Sequence, residues 1–95
     1  MEEFEREIKE IKEEINNLRL ILNAYYKYIK IEIIEICRCA NHGIYLTQNN
    51  FERTLDVLLE YSYHVDVDEE FELITNTYIS IYPDSVEQYI KYYNE

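Results

Sequence analysis

Residues 4–29 read FEREIKEIKEEINNLRLILNAYYKYI. Within this stretch Phe4, Ile8, Ile11, Ile15, Leu18, Leu22, Tyr25 and Ile29 recur at alternating intervals of four and three. That spacing lays them on one stripe of a helix and forms a heptad, with Ile8, Ile15, Leu22 and Ile29 at position a and Phe4, Ile11, Leu18 and Tyr25 at position d. No Gly or Pro interrupts it, and strong helix formers dominate its start. Glu2 and Glu3 suit the positive end of the helix dipole. Glu2–Arg6 and Glu5–Lys9 are favourable i,i+4 pairs.

The charges flanking the stripe bear on what covers it. Glu7 and Glu14 occupy position g, and Lys12 and Arg19 occupy position e. In a parallel pair, g of one helix meets e of the next heptad on its partner, giving Glu7–Lys12 and Glu14–Arg19 contacts. An antiparallel pair sets g against g and e against e, which brings like charges together. Charge pattern alone therefore predicts a parallel homodimer, although each exposed pair is worth only ~0.2–1 kcal/mol. The competing reading is that the same stripe packs on the rest of its own chain.

From Leu20 to Ile36 the apolar residues spread around the helix, which predicts burial on most sides and places the core there. The stripe continues through Ile33, Ile36 and Ala40 with a four-residue stutter. Tyr28–Cys37 is rich enough in β-branched residues to be read as a strand instead. Asn41-His42-Gly43 signals a helix stop, with Gly43 left-handed. Thr47 is a candidate N-cap for a helix from about Gln48 to Tyr63, with Phe51, Leu55, Leu58 and Leu59 on one face. Asp68 is the candidate cap of a third helix whose stripe is Phe71, Ile74, Tyr78 and Ile81, with a strand over 73–82 as the alternative. Asp84 and Glu87 suggest a capping box for a last helix to about Tyr93, with Val86, Tyr89, Ile90 and Tyr93 inward. The expectation is one all-α domain over residues 1–95, made of a dimerisation helix (1–29) and an acidic helical part (30–95). The alternative is α+β.

Composition removes many functions. The 95 residues include a single Gly and a single Pro. Gly-rich phosphate loops and dinucleotide fingerprints need several glycines. The formal charge of −11 opposes direct binding to nucleic acid or to anionic membranes. The start is glutamate-rich and unlike a signal or transit peptide. Two cysteines two residues apart make no disulfide framework, so a cytoplasmic setting is expected. The charge is uneven. Residues 1–40 hold nine acids and seven bases, net −2, and residues 41–95 hold eleven acids and two bases, net −9.

Candidate chemistry is sparse. Cys37, Cys39, His42 and His64 could form a Cys₂His₂ zinc set, but residues two apart on a helix diverge, so the helix would have to end before Cys37. Cys39 could otherwise face its copy in a parallel dimer and form an interchain disulfide. His64, Asp66, Asp68 and Glu70 alternate and could share a face toward a hard cation in an extended segment, but Phe71 stands where a calcium loop of the EF-hand type needs Gly. Ser62, His64 and Asp66 form a local string rather than the spatial arrangement a hydrolase needs. No catalytic residue, cofactor or resident metal is expected, and the chain reads as no enzyme.

Eight of the eleven tyrosines fall in the acidic half. Tyrosine suits interfaces, and it also fills cores short of Leu and Phe. In composition the chain resembles small proteins of hyperthermophilic archaeal viruses and plasmids, which are rich in Glu, Ile, Lys and Tyr and often helical and dimeric. In charge profile its acidic half resembles the small nucleic-acid mimics of phages. The leading expectation is a non-enzymatic, self-associating protein. It would offer an acidic surface, represented by Asp56, Glu60, Asp66, Asp68, Glu69 and Glu72, to a basic protein partner. The second expectation is a mimic that blocks a DNA- or RNA-binding enzyme.

Overall fold

A computed structural model describes residues 2–95 as four helices with no strand among them. They are α1 (Glu2–Asn41), α2 (Gln48–Ser62), α3 (Asp68–Tyr78) and α4 (Pro83–Asn94). The all-α reading holds, and both strand alternatives give way to helix. The 3–4 spacing through residues 28–37 outweighs the β-branched composition there. Residues 73–78 complete α3, and a turn follows to Pro83.

The 40 residues of α1 account for the 62 Å long axis of the molecule, whose other extents are 28 and 20 Å. Helices α2–α4 cover only the C-terminal part of α1, on the line of Ile29, Ile33, Cys37 and Ala40, with α3 as the main neighbour. The core adds Phe51, Leu55 and Leu58 from α2, Val67, Phe71, Ile74 and Tyr78 from the α3 region, and Val86 and Tyr89 from α4. Aromatic stacking ties its layers together. Phe51 stacks on Tyr78 at 4.6 Å between ring centroids, and Phe71 stacks on Tyr93 at 4.2 Å.

The turn after α1 closes as the sequence predicts. Gly43 takes φ +83°, its N–H reaches Ala40 O, and the Ile44 N–H reaches Cys39 O. These two bonds satisfy carbonyls that a helix end leaves free. The loop to α2 is then held by two tyrosines. The Leu46 N–H donates to the Tyr78 hydroxyl at 3.0 Å, and the Tyr82 hydroxyl donates to Leu46 O at 2.7 Å. Thr47 caps α2, its hydroxyl accepting from Asn50 N–H.

Several local expectations need correction. Asp68 does not cap α3 but is its first residue. The carboxylate of Asp66 instead accepts the Asp68 N–H at 3.0 Å. Asp84 and Glu87 form no capping box, because α4 begins at Pro83 with Tyr82 before it and no side-chain cap. Pro loses nothing there, since a first-turn N–H has no helical partner. Ile90 is exposed.

The largest departure concerns residues 20–36. They are buried on one side only. Leu20, Ile21, Tyr25, Tyr28, Ile31 and Ile34 all face outward. An apolar circumference does not distinguish cover by the chain itself from cover by something else.

Candidate functional site

Every described residue from Glu2 to Ile21 is exposed. This segment nevertheless carries most of the heptad. Phe4 is 66% exposed, Ile11 55% and Leu18 58%, and Ile8 and Ile15 are also open to solvent. Leu22 is half-buried where α2–α4 begin, and Tyr25 is exposed. Ile29, expected in a seam between copies, lies in the protomer's own core. The uncovered stripe thus runs from Phe4 to Leu18, and the half-buried Leu22 ends it at the edge of the body. Burying one such side chain fully stabilises by about 1.5–3 kcal/mol, so a free-standing row of five is a substantial unmet demand for cover. The segment is also a weak helix by itself, because short helices without packing are marginal in water.

A second uncovered apolar surface lies on a flank of α1 that the body leaves open. Ile21, Ala24, Tyr25 and Tyr28 line a shallow apolar depression of about 390 Å³, and Ile31 extends the same side. At the junction with the body, Leu22, Glu60, Tyr61, Tyr63 and His64 line a groove of about 560 Å³.

The candidate metal ligands do not converge. Helix α1 continues to Asn41, so Cys37 points into the core while Cys39 is half-buried on another side. Burial pushes the Cys37 thiol upward, partly offset by the nearby Thr77 hydroxyl. His42 is exposed at the C-terminal end of α1, and His64 lies beside Leu22, 20 residues away along the helix. Among the described residues no group of three or more His, Cys, Asp or Glu is placed to hold a metal ion. The alternating run His64, Asp66, Asp68 and Glu70 is likewise split. Glu70 is buried, while His64, Asp66 and Asp68 are exposed. Ser62 donates its hydroxyl to Leu59 O, and is not paired with His64.

The tyrosines divide. Tyr78 and Tyr89 are buried, Tyr26, Tyr82 and Tyr93 are half-buried against the core, and Tyr25, Tyr28, Tyr45, Tyr63 and Tyr92 are exposed. Several core rings place their hydroxyls on carboxylates. Tyr26 donates to Glu70 Oε1 at 3.2 Å, Tyr89 to Asp56 at 2.7 Å, and Tyr93 to Asp68. Burial and then the neighbouring carboxylate raise the Tyr89 hydroxyl well above the ordinary tyrosine range, and the same causes raise Tyr26. Partial desolvation and then the Asp66 charge raise the Asp68 carboxyl.

The six acids expected to form a partner surface occupy different places. Asp56 is engaged by α4 through Tyr89, and Glu60 rims the groove beside Leu22. Asp66 and Asp68 are at the start of α3, and Glu69 and Glu72 line a groove of about 550 Å³ with Asn41, Leu73, Asn76 and Thr77. Four of the six therefore cluster on and just before α3.

Among the described residues no helix is long and apolar enough to cross a membrane. No family model, no curated protein and no solved structure matches the chain.

Proposed function

We propose that the protein is a non-enzymatic, self-associating helical module. In this reading two copies pair through the α1 stripe Phe4–Leu22, and each presents an acidic body to a basic protein partner. One observation carries the first half: five heptad residues, Phe4, Ile8, Ile11, Ile15 and Leu18, stand exposed on a helix segment that no other described residue covers. The second half rests on charge. Residues 41–95 carry net −9, and Asp66, Asp68, Glu69 and Glu72 are all exposed around the start of α3. Spread of the remaining acids over α2 favours a protein partner over nucleic-acid mimicry, which needs carboxylates in one continuous track.

The test pairs two variants. Ile11→Glu with Ile15→Glu removes the centre of the stripe without touching the core. It should reduce the light-scattering mass from twice 11.7 kDa to 11.7 kDa. Glu69→Lys with Glu72→Lys should leave the mass doubled and weaken a basic partner. An unchanged mass in the first variant contradicts the stripe as the seam.

A further inference from the structure

We infer that two copies pair their α1 helices antiparallel, with Phe4 of one copy against Leu22 of the other. This rests on self-association through the stripe and adds its direction and register.

The side of α1 that carries the body decides the direction. Leu22, Ile29, Ile33 and Ala40 continue the line of Phe4, Ile8, Ile11, Ile15 and Leu18 at intervals of three, four or seven. The stripe and the face covered by α2–α4 are therefore one face of one helix. In a parallel pair the second helix would run beside the first at about 8–10 Å along its whole length. Each copy's body would then stand in the gap already filled by the other's. The helices would have to part before Leu22 and lose the layers there.

Antiparallel pairing removes the conflict. The second copy's N-terminal end reaches Leu22 as its cover ends, and the two bodies sit at opposite ends. The register follows from the lengths. With Phe4 on Leu22, Ile8 meets Leu18 and Ile11 meets Ile15, so every stripe residue from Phe4 to Leu22 meets an a or d residue of the other copy. A slide of one heptad toward the body sets Phe4 on Ile29, which is already buried. A slide the other way leaves Leu18 and Leu22 uncovered.

Charge is not decisive. Antiparallel pairing sets Lys12 near Lys12 and Glu14 near Glu14, but it also sets Glu5 near Arg19 twice. These are exposed pairs, which contribute little in either sense. Overlap of two folded bodies is not negotiable on that scale. The pairing also brings the second copy's first turn beside the groove of Leu22, Glu60, Tyr61, Tyr63 and His64, giving that groove an occupant.

The test is a distance. A spin label on Glu3→Cys, in a Cys39→Ser background with Cys37 shielded in the core, reports on the seam from outside it. Residue 3 of one copy should lie level with residue 23 of the other, so the labels should be about 30 Å apart along the axis at 1.5 Å per residue. A doubled mass with labels closer than about 20 Å would overturn the direction alone. A doubled mass with labels beyond about 60 Å would overturn both direction and seam. A mass of 11.7 kDa would overturn self-association itself. As a second readout, Phe4→Cys and Leu22→Cys chains mixed in that background should cross-link on oxidation. Phe4→Cys alone should not, because a disulfide needs Cα atoms within about 7 Å.

Discussion

The hydroxyl of Tyr26 on α1 donates to Oε1 of Glu70 on α3 across 3.2 Å, joining positions 44 residues apart. Glu70 is only 3% exposed, and its Oε2 has no hydrogen-bond partner among the described residues. A buried carboxylate with one partner depends heavily on that partner. Tyr26→Phe should therefore destabilise by about 1–3 kcal/mol, the cost of leaving a buried polar group unpaired. Adding Glu70→Leu should recover much of that loss, because removing both polar partners is often nearly neutral. Urea unfolding of the two variants checks the pair. A neutral Tyr26→Phe would show that the bond contributes nothing.

Alkaline pH should unfold the body early. The Tyr89, Tyr26 and Tyr78 hydroxyls are all raised, with burial as the first cause. The folded state thus holds these protons more tightly than the unfolded chain. Their contribution is complete below the unfolded tyrosine value of about 10 and is lost as pH rises through the folded values. Tyr89→Phe should flatten that part of the stability–pH curve. An equal slope in wild type and variant would remove Tyr89 from the account.

The aromatic centre should be the most sensitive part of the core. Phe51 is wholly buried and stacks on Tyr78. Phe51→Ala should cost about 3–5 kcal/mol, a large share of the roughly 5–15 kcal/mol that holds an ordinary domain folded. By contrast, Ile31→Lys on the exposed back of α1 should change stability by no more than about 0.5 kcal/mol. Thermal melts of the two variants test the burial pattern, and equal losses would contradict it.

The two cysteines should differ in reactivity. Cys37 is 3% exposed with a raised thiol, and Cys39 is half-buried. A thiol reagent should modify Cys39 in the native protein and Cys37 only as the chain unfolds. Mass spectrometry of the modified peptide distinguishes them, and native modification at Cys37 would contradict the packing of α1 on its neighbours.

How far the sequence could be read follows from where its signals are local. The 3–4 spacing along residues 4–29, the Gly43 stop and the Thr47 cap are each carried by neighbours in the sequence, and a helix, a left-handed turn and an N-cap stand at those places. Helix ends with competing caps were less legible. Asp66 and Asp68 both qualify by type, and only the path of Val67 into the core decides between them. The tyrosine–carboxylate pairs were invisible, since Tyr26–Glu70 and Tyr89–Asp56 join distant positions with no periodic mark. Residues 20–36 depart from the expectation for a different reason. Apolar side chains all around a helix demand cover but do not say whose, and here the body supplies it on one face only.

Pairing of two copies through the uncovered stripe that starts at Phe4 is the central claim, and sedimentation equilibrium of the unmodified protein checks it. Across a micromolar concentration series the mass should be twice 11.7 kDa and fall toward 11.7 kDa on dilution. The loss of mass should be accompanied by loss of helical signal from the first 20 residues. A mass of 11.7 kDa throughout the series, with α1 fully helical, would contradict it.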